Sequence, residues 1–160
     1  MTDTPHLDAL TERGRTFLGT RHAIMAGAMS WVSERNLVSA ISNAGGFGVI
    51  ACGAMTPALL EAEIAATQAL TDKPFGVNLI TMHPQLMDLI GVCRAAGVSH
   101  VVLAGGIPPG PAVAAITDFA KLIAFAPNFA LARKLLRSGT DALVIEGSEA
   151  GGHIGPVSLA

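Results

Sequence analysis

Apolar residues in this chain gather into short continuous runs bounded by Gly, Pro or a polar residue, and between those runs they recur at helical spacing. Six runs have the length and aliphatic content of buried parallel strands: residues 22–26, 47–51, 75–80, 98–104, 121–126 and 141–146. The stretches between them read as helices. Residues 7–18 open the chain as a polar amphipathic helix that Gly19 ends. Ser33 precedes a helix carrying Leu37, Val38 and Ile41 on one face, closed by Gly45 and Gly46. Thr56 followed by Pro57 starts the helix 58–70, and further helices are expected at 84–96, 110–119 and 129–137. Strand and helix alternate at a spacing of roughly 25 residues, the βαβ rhythm of a parallel sheet with right-handed crossovers. An open doubly wound sheet and a closed (β/α)8 barrel share this rhythm. The first would carry G-x-G-x-x-G directly after its first strand, and Gly27-Ala-Met-Ser-Trp-Val does not supply it, so the pattern predicts an α/β chain of the TIM-barrel class.

Composition narrows the partners. Half of the 160 residues are apolar, and ten basic against twelve acidic residues leave a net charge of −2. No run of either sign offers a nucleic-acid surface or a polybasic membrane anchor, so a small-molecule substrate is expected, with no nucleic acid and no membrane. The amino terminus lacks a signal-peptide pattern, and the expectation for location is the cytoplasm. Cys52 and Cys93 have no neighbouring ligand pattern and read as buried free thiols, with no metal site expected.

The candidate chemistry lies near the carboxyl end. A strand at 141–146 breaks into Gly147, Gly151, Gly152 and Gly155, which flank His153. Loops past the carboxyl ends of strands are where α/β proteins bind ligands, and an imidazole with an ordinary pKa of about 6.5 can exchange a proton at neutral pH. His153 is therefore the candidate catalytic residue, which nearby Ser148 and Glu149 either orient or merely help to solvate. His6, His22, His83 and His100 have no such setting and read as surface or strand-end residues. The stretch Gly45-Gly-Phe-Gly48 precedes a strand, so a tight helix-to-strand turn is favoured over a phosphate cradle.

Four segments carry a family resemblance: Ala26-Gly-Ala-Met-Ser-Trp-Val-Ser33, Leu37 through Ile50 with its Ser-Asn-Ala-Gly-Gly-Phe-Gly core, Pro74-Phe-Gly-Val-Asn78, and Glu146-Gly-Ser-Glu-Ala-Gly-Gly-His-Ile-Gly155. In that order they resemble the nitronate monooxygenase family, formerly 2-nitropropane dioxygenases, which includes the FMN-dependent enoyl-acyl-carrier-protein reductases. The resemblance implies an FMN-containing (β/α)8 barrel with the flavin across the carboxyl ends of the strands. It assigns flavin contacts to Gly27, Ala28, Met29, Asn78 and Gly152, and the active-site histidine to His153. Without it, Met29 reads as core filler and Asn78 as a turn or capping residue. The family's best-known class carries a lysine on the fifth strand, where this chain has Phe125, so both nitronate oxidation and NAD(P)H-dependent enoyl reduction stay open.

The family's last two strands and its phosphate-binding loops have no counterpart in residues 1–160, which therefore read as the amino-terminal part of such a domain. Six strands leave two unpaired edges, from which association of copies into a homo-oligomer is expected. A reading from another class is a non-catalytic half-barrel that binds a partner through those edges.

Overall fold

The computed structural model describes residues 5–152, 154, 155 and 158. Its centre is a five-stranded, fully parallel sheet in sequential order: β1 (Gly48–Ala51), β2 (Phe75–Ile80), β3 (His100–Ala104), β4 (Lys121–Ala126) and β5 (Ala142–Ile145). Helices α2 (Arg35–Asn43), α3 (Pro57–Leu70), α4 (Leu86–Ala95), α5 (Gly110–Thr117) and α6 (Phe129–Arg137) alternate with the strands, and α1 (Pro5–Leu18) precedes them all. Neighbours in sequence are neighbours in the sheet, as a barrel wall requires and a doubly wound sheet forbids. Register aligns Ala51, Asn78, Val102, Ile123 and Ala142 strand by strand across the sheet.

Alternation along each strand sorts side chains between two faces. Ile50, Val77, Leu79, Val101, Leu103 and Leu122 point outward into a core shared with the helices. Val49, Val102 and Ile123 point inward and pack with Phe47 and Leu18. The inward face is a barrel interior. Helix α1 closes its amino-terminal end, because Phe17 and Leu18 join that inner cluster.

Caps explain where the helices begin. Thr56 Oγ1 accepts from the Leu59 amide with Pro57 in the first turn, and Asn128 Oδ1 accepts from the Leu131 amide at 2.9 Å. The cap of α2 is Glu34, one residue beyond the expected Ser33; its carboxylate accepts from the Asn36 and Leu37 amides. The buried Glu63 of α3 adds a second anchor, accepting from the Arg35 amide at 2.5 Å and from Arg35 Nε at 3.1 Å.

Two expectations change and one holds. The predicted first strand, 22–26, is reduced to one parallel bridge between Met25 and Phe47, held by Phe47 N–H to Ile24 O and Ala26 N–H to Phe47 O. Among the described residues it pairs on one side only, and the Ala26 amide makes its last bond before Gly27. The glycine stretch 45–48 is a tight turn at the amino-terminal end of the sheet, with Gly45 at φ +94° and its amide bonded to Ser42 O. The side chains of Arg21 and His22 stand against Gly45. His100 does begin a strand, but it is buried and not a surface residue.

Candidate functional site

The carboxyl ends of the strands form the face on which the predicted site residues fall. Residues 27–33 make a buckled loop there, pinned from beneath by one hydroxyl. Ser33 Oγ accepts from the Met29 amide at 3.0 Å and donates to Gly27 O at 3.2 Å, while the Val32 and Ser33 amides both donate to Met29 O. Ser33 O in turn accepts from the Ala51 amide, which ties the loop to the end of β1. Trp31 is the one non-glycine residue with positive φ among the described residues, at +65°, a left-handed conformation that a bulky side chain adopts only when its surroundings impose it. Gly53 lets the loop settle, since a Cβ there would stand 3.2 Å from Ser30 Oγ. Met29 is half exposed, which removes the core-filler reading. Space beside Gly27 is open.

Asn78 lies next to this loop through the sheet. It pairs with Ala51 in register, and its carbonyl accepts from the Cys52 amide. Its side chain points inward and is 93% buried, being 7% exposed. Among the described residues no protein group bonds its carboxamide. A carboxamide that no protein group bonds, on a face that opens to the interior, is free to meet a ligand. It sits within the strand, so the turn or capping role does not hold. Phe125 faces the same interior from β4, packed with Val144 and Ala142, so the inner wall there is apolar.

Gly152 has φ +75° and open space around it, both of which favour glycine where a ligand approaches the backbone. The loop past β5 closes on itself through the Ala150 and Gly155 amides, which both donate to Gly147 O. Gly155 rests so close to the Glu146 carbonyl that a side chain would not fit. Glu149 accepts a hydrogen bond from the Ser158 hydroxyl. His153 lies outside the described residues.

Two polar residues that the sequence did not single out shape the interior. Ser33 was indistinguishable from a helix cap by sequence alone. His100 stands between Phe17 and Phe47 at ring-centroid distances of 5.2 and 4.9 Å, both edge-on. Its Nε2 lies 2.9 Å from Phe17 O, so that nitrogen carries the proton and Nδ1 accepts from Ser99 Oγ at the same distance. Burial pushes the imidazole pKa below its ordinary value, against the opposing pull of the Phe17 carbonyl and the Asp141 charge. This histidine latches α1 to the sheet, far from the loop face. Cys52 and Cys93 are buried free thiols, pushed up by burial to about 11 and about 12, which keeps them protonated and inert. Among the described residues no helix is long and apolar enough to cross a membrane.

Comparison with known proteins agrees with this geometry. FabK from Thermotoga maritima superimposes with a TM-score of 0.87 at 39% identity, over 91% of this chain and 47% of FabK. The (3aS,4S,5R,7aS)-5-hydroxy-7a-methyl-1-oxo-octahydro-1H-indene-4-carboxyl-CoA dehydrogenase of Mycobacterium tuberculosis is 35% identical over 88% of this chain and 40% of its own length. A nitronate monooxygenase of Paraburkholderia phytofirmans is 30% identical over 86% of this chain and 48% of its own. The chain thus spans about half or less of the length of these relatives, and its sheet is an incomplete (β/α)8 barrel. Residues 12–102, more than half of the chain, match the model of the nitronate monooxygenase family, and the chain belongs to that family.

Proposed function

We propose that this chain forms the flavin-facing part of an FMN-dependent oxidoreductase of the cytoplasm that oxidises nitronates with O2. The observation that carries the reading is Asn78, an inward residue whose carboxamide no protein group bonds among the described residues, beside the pinned loop at Gly27, Ala28 and Met29. These residues fit a flavin: open space at Gly27 admits a flat ring against the backbone, and the amide offers both a donor and an acceptor to its polar edge. FMN, when bound, supplies the two-electron chemistry. The protein's part is to orient the ring with the 27–29 loop and Asn78, to keep water out with the apolar wall at Phe125 and Val144, and to move a proton. His153 performs that last task at the substrate carbon, with Gly152 leaving room for the cofactor beside it.

A second reading has its own support. Phe125 occupies the interior of β4 where the nitronate-oxidising class carries a lysine, the chain is similar to FabK, and the relative named as an indene-carboxyl-CoA dehydrogenase acts on a CoA thioester. In that case NAD(P)H is co-substrate, and His153 delivers a proton to the carbon next to the thioester carbonyl after hydride addition. A non-catalytic half-barrel that only binds a partner is the contrasting outcome.

Absorbance of the purified protein reads flavin directly. Oxygen consumption with a nitronate, set against NADH oxidation with an enoyl thioester, separates the two chemistries. His153→Ala in the flavin-loaded protein is expected to retain flavin and to lose turnover by about 10²- to 10⁴-fold. Turnover equal to the parent across pH would remove His153 from the mechanism, and a colourless protein that neither binds FMN nor turns over either substrate would favour the partner-binding alternative.

A further inference from the structure

Charge is unevenly spread along this chain. Residues 119–140 contain four cations, Lys121, Arg133, Lys134 and Arg137, and no carboxylate, although the whole chain carries a net charge of −2. The acidic residues on either side are already committed. Asp118 pairs with Arg94 at 2.7 Å and Asp141 with Lys121 at 3.2 Å. That leaves Arg133, Lys134 and Arg137 on α6, all exposed and without a carboxylate partner among the described residues.

Helix α6 turns one face to the sheet, where Leu131, Ala132 and Leu135 pack with Ala124 and Ala126. At about 3.6 residues per turn, Phe129, Arg133, Leu136 and Arg137 fall at i, i+4, i+7 and i+8 on a face turned away from it. Phe129 and Leu136 are 76% and 53% exposed. The Arg133 guanidinium lies 5.7 Å from the centroid of the Phe129 ring, close enough to steady it. Cations near a helix carboxyl end suit the helix dipole, which accounts for Lys134 and Arg137. It does not account for two large apolar side chains set in line with two arginines on the face that meets water. A single exposed apolar side chain is ordinary, but together these residues form a continuous stripe.

We infer that this stripe docks an acidic amphipathic helix of a partner protein. From Phe129 to Arg137 the stripe is about 12 Å long at the helical rise of about 1.5 Å per residue. A partner helix with carboxylates at i and i+4 and aliphatic side chains beside them matches the spacing of Arg133 and Arg137, and each guanidinium can hold one carboxylate through two hydrogen bonds. Its aliphatic side chains would cover Phe129 and Leu136, which a small anion would leave wet. Recruitment to an anionic bilayer draws on clusters of about four to eight cations, more than α6 offers. Nucleic acid is disfavoured by the net negative charge of the chain. The stripe lies on the outer side of the wall, whereas Asn78 and Phe125 face the interior, so the inference stands or falls independently of the flavin reading.

Amide chemical shifts of the isotope-labelled 160-residue chain test this, with a synthetic amphipathic Leu/Glu helical peptide as probe. Saturable shifts centred on residues 129–137 are the expected result, weakening as salt is raised and absent with the Leu/Lys counterpart of the peptide. Arg133→Glu combined with Arg137→Glu should weaken binding by about tenfold or more, because like charges then face each other. Should that pair fail to fold, Arg133→Gln with Arg137→Gln should still weaken it by about threefold or more. Phe129→Ala should weaken it by about threefold or more through the lost apolar contact. Arg13→Glu with Lys73→Glu, which changes the net charge equally at sites off α6, should bind as the parent does. Phosphatidylglycerol vesicles and a single-stranded DNA 20-mer serve as competing probes and should bind more weakly than the acidic peptide. The inference is overturned if the acidic peptide leaves residues 129–137 unshifted at millimolar concentration, or if the folded α6 variants bind it as tightly as the parent. It is equally overturned if the Arg13 and Lys73 pair weakens it as much, or if vesicles or DNA bind more tightly than the peptide.

Discussion

Replacing Ser33 by Ala would test how the proposed flavin loop is held. The hydroxyl of this buried serine accepts from the Met29 amide at 3.0 Å and also donates to Gly27 O at 3.2 Å. Its removal leaves a part-buried donor and an acceptor unpaired, which costs about 1–3 kcal/mol. The loss should be local, because Val32 and Ser33 both hang from Met29 O and would open with it. A change of that size corresponds to roughly 5- to 150-fold in an opening equilibrium. Amide hydrogen exchange of the 160-residue chain reads it directly: Met29, Val32 and Ser33 should lose protection by that factor relative to the Val77 and Leu79 amides of β2. In the flavin-loaded protein the same loosening should appear as weaker flavin binding. Exchange at Met29 that matches the parent would show that the loop is held by something other than Ser33, and the account of its preorganisation would be wrong.

Two further outcomes follow from buried ionisable groups. Because burial lowers the His100 pKa in the folded state, the unfolded chain takes up a proton first; the contribution of His100 is complete above about pH 6.5 and declines below it, with a slope of at most about 1.4 kcal/mol per pH unit. Denaturant melts between pH 5 and 8 should show this dependence in the parent and its loss in His100→Phe. For Glu63, burial raises the carboxyl pKa, but the side-chain and backbone bonds to Arg35 and its charge together outweigh that and leave it lowered. Its stabilisation is therefore present above about pH 4.3 and lost as pH falls through the folded value, and Glu63→Gln should flatten the acid limb of the stability curve. Glu63→Ala at pH 7 should cost about 1.5–3 kcal/mol by denaturant titration, since hydrogen bonds from a charged partner and a helix amide are lost together.

What could be read in the sequence was set by local physics. The bounds of β2, β4 and α6 match the expected ranges, because the two strands are continuous apolar runs bounded by proline or a polar residue and the helix is an amphipathic run that starts at the Asn128 cap and ends before Gly139. The segment 22–26 carried the same signal and became only a bridge, since strand formation depends on partners that a local pattern does not encode. Ser33 fits the cap pattern, yet Glu34 caps α2, because the serine hydroxyl is taken by the Gly27 loop. His100 looked like a strand-end residue, and its burial is imposed by Phe17, which lies 83 residues earlier. Asn78 read as a turn or capping residue from the sequence and as a flavin contact only by resemblance; its inward direction and its lack of a protein partner are properties of the assembled sheet. His153 rests on the Gly-Gly-His motif alone.

The latch between His100 and Phe17 also bears on how the chain reaches its native state. Each strand pairs with the next one in sequence, so the sheet can grow one βα unit at a time through short-range closures that cost little chain entropy. The bond from His100 to Phe17 spans 83 residues and forms only after β1, β2 and β3 have assembled to present both rings. Docking of α1 is then the late, slow-to-close step, and interactions absent from a transition state govern unfolding more than folding. Weakening this latch should accordingly shorten the lifetime of the folded chain while leaving the rate at which its wall assembles almost untouched.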